Sequence, residues 1–210
     1  MNFALIGCGA LFDDIAAHWS LLNAGGELHL LHLPHTDAAA QDTAALLARF
    51  DPANTRIFAA VDTQAINHAR LDVYAKARLL GFKAVSLRHP GAIVAPGAQV
   101  GENCWIGAGA VVAPGAHIGR NTIVGDLARI EANAKLGANG WRGAGASVGA
   151  GAELGQNCLI GRDVRLGAGL RLGRHCVIDV PGAYTESLAD GTFIDPLFPQ
   201  AVRIYGAAHG

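Results

Sequence analysis

The chain has 210 residues, room for an extended repeat region plus one small domain. Sixteen basic and seventeen acidic residues leave a formal charge of −1, so nothing asks for nucleic acid or an anionic membrane surface. No stretch is long and apolar enough to span a bilayer, and Met1 leads straight into a strand with no basic segment or cleavage site ahead of it, so a cytoplasmic protein is expected.

Residues 3–6 read as a buried strand, followed by the tight turn Gly7-Cys8-Gly9 and a helix over 11–22. A second strand is expected at 27–33, an Ala-rich helix at 37–50, a third strand at 56–61, a helix at 63–80 ending at Gly81, and a fourth strand at 83–87. Alternating strands and helices imply a parallel sheet with covered faces, a Rossmann-like βα domain. A Gly-x-Gly turn between a first strand and its helix can admit a phosphate to the helix N-terminus. Here Phe12 stands where a dinucleotide fingerprint has its third glycine, and Asp13 and Asp14 suit the helix dipole but oppose an anionic ligand. A plain packing turn is the alternative. His89-Pro90 marks the boundary.

From Ala92 to about Val180 the grammar changes to fifteen consecutive six-residue units. An aliphatic residue recurs every sixth position from Val94 to Ile178, with Arg142 as its one break. A mostly small residue lies two positions before it, and Gly usually follows it. Residues two apart on a strand share a face, so the small and aliphatic residues both point inward. The following Gly is expected to permit the bend. Three bends close a triangle, so one coil takes eighteen residues and about five coils stack as a parallel β-helix. Cys104, Cys158 and Cys176 then share one inward column with Thr122 and Gly140, as small core residues and not as a disulfide. No CxxC spacing suggests a metal, and none is expected. The expected organisation is a Rossmann-like domain over 1–89, a β-helix over 90–181 and a tail or cap over 182–210. In the tail, Phe193, Ile194, Leu197 and Phe198 would cap the open end of the solenoid or pack on a neighbouring subunit.

The join HPGAIVAPGAQVGENCWIGAGAVV from His89, together with the two-domain plan, resembles the NeuD/PglD-type sialic-acid and amino-sugar acetyltransferases. That resemblance implies a left-handed β-helix, a homotrimer, acetyl-CoA in the cleft between neighbouring helices, and a sugar nucleotide as acceptor. It places the acceptor near Gly7, Gly9, Asp62 and Thr63, where the family's Gly-Asn-Asn falls on Asp62-Thr63-Gln64. It places the cofactor along Ala150, Gly151, Gly161, Arg162, Gly167 and Ala168. The family's general-base His follows an Ile-Glu pair. Here Ile130-Glu131 is followed by Ala132, with Asn133 at the position of the orienting acid. A second family His falls on Trp141, and an Asn-Thr pair falls on Gly125-Asp126.

An Arg aimed into a dry core is costly unless paired, so Arg142 either faces out on a bulge or finds partners inside. Breaks in a sequence's own rule are candidate sites. The break points to Arg142, and the resemblance points to Asp126, Glu131, Asn133 and Trp141, so these five are the catalytic candidates. His117 and His175 are expected on the surface. Arg162, Arg165, Arg171 and Arg174 would meet coenzyme A phosphates or simply keep the surface soluble. Two readings stay open: an acyl-CoA-dependent transferase acting on a small polar acceptor, and a trimeric binding or scaffold protein that has lost the base. A metal enzyme of the γ-carbonic anhydrase type would need three convergent His, and the repeats carry only His117 and His175.

Overall fold

The structure is a computed structural model that describes residues 1–22, 26–33, 39–63, 67–198 and 200–203. The first domain comprises β1 (Asn2–Cys8), α1 (Ala10–Ala17), β2 (Glu27–His32), α2 (Ala39–Leu47), β3 (Thr55–Val61), α3 (His68–Leu79) and β4 (Lys83–Ala84). The sheet is parallel, in the order β2-β1-β3-β4. The helix expected over 11–22 stops at Ala17, and a short 3₁₀ turn (Trp19–Leu21) follows. Residues 37–38 and Gln64, where expectations also fell, lie outside the described residues.

Alternation along β1 gives each face its own core. Ala4 and Ile6 pack with Leu47, Val73 and Tyr74 from α2 and α3. Leu5 packs with Leu11, Phe12 and Ile15 of α1, and also with Trp105 and Ile123 of the second domain. The second face of the sheet is thus the seat of the β-helix.

The expected fourth strand divides in two. Lys83–Ala84 pairs with β3, whereas β5 (Leu87–Arg88) pairs with Trp105–Ile106 and is already a rung of the helix. Three flat sheets then wind upward in parallel register, each rung eighteen residues from the next, as in Ile123 between Trp105 and Trp141. They make a left-handed β-helix. We call the sheet holding Trp105, Ile123 and Trp141 the first face. The second face holds Val111, Arg129 and Ser147, and the third holds Gln99, His117 and Lys135. The interior is the expected double column of aliphatic and small residues, nearly all fully buried.

The bend is made differently from expectation. The positive φ sits three residues after the aliphatic position, at Gly109 (φ 65°), Asn121 (φ 55°) and Asn139 (φ 57°). The Gly directly after the aliphatic residue serves coil stacking instead: a Cβ at Gly119 would lie 2.6 Å from the Ala138 nitrogen. All four cysteines are free, and Cys104, Cys158 and Cys176 donate from the interior to the carbonyls of Gly119, Gly173 and Ala189.

The tail meets the capping expectation in part. Gly182–Tyr184 and Thr192–Ile194 add further parallel rungs, and Tyr184, Leu188 and Ile194 close the apolar interior. Leu197 and Phe198 do not cap it: they are 84% and 47% exposed. Among the described residues no helix is long and apolar enough to cross a membrane.

Candidate functional site

On the first face, the residue just before each aliphatic position points outward. In three successive rungs these residues are Trp105, Ile123 and Trp141. The equivalent column on the third face is polar, with Lys135 bridged to Glu153 at 2.8 Å and Arg171 near the same carboxylate at 3.7 Å. The apolar column explains why the first domain docks on the first face. Trp105 is buried by that docking, while Trp141 remains half-buried.

Beyond the docked area a groove of about 430 Å³ opens between the two domains. Ala10, Leu11, Asp14 and Thr63 form its first-domain wall. Trp105, Ile123, Trp141 and Leu159 form its floor. The edge between the first and second faces supplies Gly125, Asp126, Gly143, Ala144, Gly161, Arg162 and Asp179. A larger depression of about 770 Å³ lies along the third face, a shallow trough flanked by the Lys135–Glu153–Arg171 ladder.

The groove gathers only part of the expected site. Thr63, Asp126, Trp141, Gly161 and Arg162 line it. Gly7, Gly9 and Asp62 form the adjoining turn, where the Asp62 carboxylate accepts the N–H groups of Ala10 (2.9 Å) and Leu11 (3.0 Å). Glu131, Ala132, Asn133, Ala150, Gly151, Gly167 and Ala168 sit on the next edge of the prism, between the second and third faces. There Glu131 accepts the Ala150 N–H, and the Gly151 N–H bonds Ala132 O. Within one chain the expected cofactor residues therefore divide between two edges.

Arg142 takes the inward of its two expected placements. Its strand keeps register with Val124 and Ile160, so there is no bulge and the side chain points inward, fully buried. Nη1 donates to the carbonyls of Trp141 (2.8 Å) and Cys158 (2.7 Å), while Nε and Nη2 have no partner. The guanidinium fits because Gly140 vacates the small-residue column: a Cβ there would lie 3.1 Å from Nη1 and Nη2. Burial pushes Arg142 down to about 10, so it stays charged at neutral pH inside the coil and away from the groove.

Sequence reasoning missed a second buried cation. Arg70 of α3 lies 5.4 Å over the Trp141 ring and donates to the carbonyls of Asn121 (3.2 Å) and Gly140 (3.1 Å). Burial lowers it to about 9. Beside it runs a ladder of turn asparagines, buried at the junction. Asn103, Asn121 and Asn139 each donate Nδ2 to the next Oδ1 at 2.7 Å, the last to Asn157. At its foot the Asn103 amide pairs with both the N–H and C=O of Ala59, standing in for the strand that β4 does not continue. The signal was present in sequence as Asn every eighteen residues from 103 to 157.

Asp14 of the groove wall also holds an imidazole that lies outside the groove lining. His18 Nδ1 is 3.1 Å from Asp14 Oδ1 and 2.9 Å from Asp14 O, and its ring meets that of His89 edge-on at 5.5 Å. His117 is exposed on the third face beside Gln99, and His175 stacks on His68 at the far end of the asparagine ladder.

Comparison with known proteins bears on the repeats and on the whole fold. The family described as bacterial transferase hexapeptide (six repeats) matches residues 97–132, and the hexapeptide repeat of succinyl-transferase matches residues 151–179. Among curated proteins no relative matches. The acetyltransferase domain of PglB from Neisseria gonorrhoeae, solved with acetyl coenzyme A, superposes with a TM-score of 0.63 at 22% identity, covering 97% of this chain and 98% of that one. PerB from Caulobacter crescentus, solved with CoA and GDP-perosamine, gives a TM-score of 0.64 at 22% identity, covering 92% and 93%. The chain therefore has the fold of these solved proteins, with a left-handed β-helix wound from hexapeptide repeats.

Proposed function

We propose that the protein is an acetyl-CoA-dependent acetyltransferase acting on an amino or hydroxyl group of a sugar nucleotide or similar small polar acceptor. The observation that carries this reading is the groove between the first domain and the hexapeptide edge, in a fold shared end to end with proteins solved with acetyl coenzyme A or with CoA and a GDP-sugar. The acceptor rests on the Trp141 floor between Thr63 and Asp126. Acetyl-CoA lies along the coil edges, with Ala150, Gly151, Gly167 and Ala168 of one copy facing Gly161 and Arg162 of a neighbour in a homotrimer. That assembly rejoins the two halves of the site that a single chain separates. Arg162 receives a phosphate of the cofactor.

In the transfer, the acceptor nitrogen or oxygen attacks the thioester carbonyl. The C–S bond breaks as the acyl bond forms, and the acceptor proton must leave. Backbone N–H groups of the glycine-rich edge hold the developing oxyanion. Ala132 stands where the resembled family has its base, so we assign the proton to His18. Two Asp14 oxygens keep the His18 proton on Nδ1, which leaves Nε2 as acceptor, the arrangement of an oriented general base. Coenzyme A release with a panel of amines and amino sugars tests this. His18→Gln is expected to lower kcat about 100-fold with the KM for acetyl-CoA unchanged. An unchanged kcat contradicts the assignment.

A second reading, a trimeric binding or scaffold protein, is favoured by Ala132 and Asn133 at the base and acid positions and by Arg142 being sealed in the core. It predicts acetyl-CoA binding without turnover, or neither.

A further inference from the structure

The repeat does not require an indole on the groove floor. At the same outward position Ile123 stands one rung below Trp141 and Leu159 one rung above, so an aliphatic residue satisfies the rung. At the middle rung the chain places an indole and holds it from the first domain. Asn67, the residue before α3, donates Nδ2 to Asn139 O at 3.2 Å, and Arg70 donates Nη2 to Gly140 O at 3.1 Å. These are the two carbonyls that lead into Trp141. The Arg70 guanidinium then lies 5.4 Å over the indole ring. Both donors are fully buried. Arg70 is not among the residues that line the groove, whereas Trp141 lines it and stays half-buried. Arg70 therefore backs the indole from inside the junction, and the rest of the ring surface meets the groove.

We propose that Trp141 sets acceptor specificity as a platform for the C–H face of a sugar ring, and that Arg70 is the positioning residue which fixes that platform. This narrows the acceptor class of the transferase proposed above and rests on that reading. A cation against an aromatic ring draws the π density toward itself. The remaining surface is then a poor seat for a second cation but still a flat apolar plate. A pyranose fits such a plate, because its C–H groups form an apolar face and its hydroxyl or amine substituents project from the ring edge. The polar groups of the groove stand beside the plate, Asp14 and Thr63 on the wall and Asp126, Asp179 and Arg162 on the coil edge. A ring lying flat on Trp141 sends its substituents toward these groups, whose carboxylates accept from hydroxyls and amines. An apolar floor with a few polar groups at its border is the usual build of a small-molecule site.

The test is saturation-transfer NMR on the full-length protein, with millimolar UDP-glucose and GDP-mannose as probes and acetyl-CoA in parallel. Saturation is expected to be strongest on the pyranose C–H protons. Trp141→Leu, which gives the rung the kind of residue its neighbours have, is expected to fold and to cut the pyranose signal at least about fivefold, with the acetyl-CoA signals unchanged. Arg70→Lys, which keeps a cation behind the ring, is expected to retain the pyranose signal, and Arg70→Met to lose it. Absence of pyranose saturation from both probes overturns the platform, as does an intact signal in a folded Trp141→Leu. A folded Arg70→Met that keeps the signal overturns the role of Arg70. Circular dichroism reports folding. If Arg70→Met does not fold, Arg70→Lys decides that role, and its loss of the signal overturns it. The wild-type spectrum reads the platform without any variant. The acetyl-CoA arm separates the two claims: its failure in the wild type strikes the transferase reading, whereas the pyranose signals strike only Trp141 and Arg70.

Discussion

Two regions of the molecule each bury a guanidinium with no carboxylate bonded to it, and they do so in different ways. At the domain junction, Arg70 has the face of Trp141 and the carbonyls of Asn121 and Gly140 around it, with Val61 O and Asn67 Oδ1 at longer range. Inside the β-helix, Arg142 has two carbonyls and two nitrogens left without partners, against one, Nε, on Arg70. The junction cation ties α3 to two successive coils. The coil cation fills the space that Gly140 leaves and bonds only carbonyls of the β-helix itself. Burial of a charge is tolerated in both places, but only at the junction does it join two domains.

That contrast is open to breaking. The largest effect is expected at Arg70. Arg70→Ala removes a fully buried side chain and donors to several buried carbonyls, and should cost about 3–5 kcal/mol, read as a fall in the urea midpoint. Arg142 should behave in the opposite sense once its cavity is filled. Arg142→Val alone leaves a void beside Gly140, and Gly140→Ala alone crowds the guanidinium. The two together restore the repeat and are expected to raise stability by about 1–3 kcal/mol, with strong non-additivity in a double-mutant cycle. A destabilised double variant would show that Arg142 is held for more than filling.

The same comparison extends to the asparagines. Asn121 and Asn133 occupy the same turn position, both with positive φ, but Asn121 is buried in the junction ladder and Asn133 is exposed. Asn121→Ala leaves Asn103 Nδ2 and Asn139 Oδ1 without their partners and should cost about 1–3 kcal/mol. Asn133→Gly should change stability by no more than about 0.5 kcal/mol. Equal costs would mean that turn geometry alone matters and the ladder contributes nothing. A small gain is expected at Leu127, an aliphatic residue at φ 59° with 68% of its surface exposed. Leu127→Gly relieves that backbone and should raise stability by about 1 kcal/mol in the same denaturation assay.

The hexads were legible because each inward position repeats one physical demand, and the first domain because its strands and helices alternate. Reading only the inward column hid the rest. The outward apolar column at Trp105, Ile123 and Trp141 announces the docking face, and the asparagines every eighteen residues announce the junction. Both patterns appear only when the repeat is read at the period of a coil and not of a hexad. Arg142 was flagged correctly as a break, but its partner is a missing Cβ at Gly140, and an absent atom has no signature until the column is stacked. Asp62 was read through the resemblance as an acceptor contact. Its bonds to α1 depend on the chain folding back over fifty residues, which spacing does not reveal. The tail looked irregular because its rungs are joined by loops that drop the six-residue period.

Thermal unfolding with and without acetyl-CoA, beside free coenzyme A, tests the central claim most directly. Cofactor at a hundred times its dissociation constant should add about 2.7 kcal/mol, an upward shift of about 5–10 °C for a protein of this size. A shift of that order supports a coil edge built to hold the acyl donor. No shift at millimolar acetyl-CoA would contradict the transferase account and leave a binding or scaffold protein in its place.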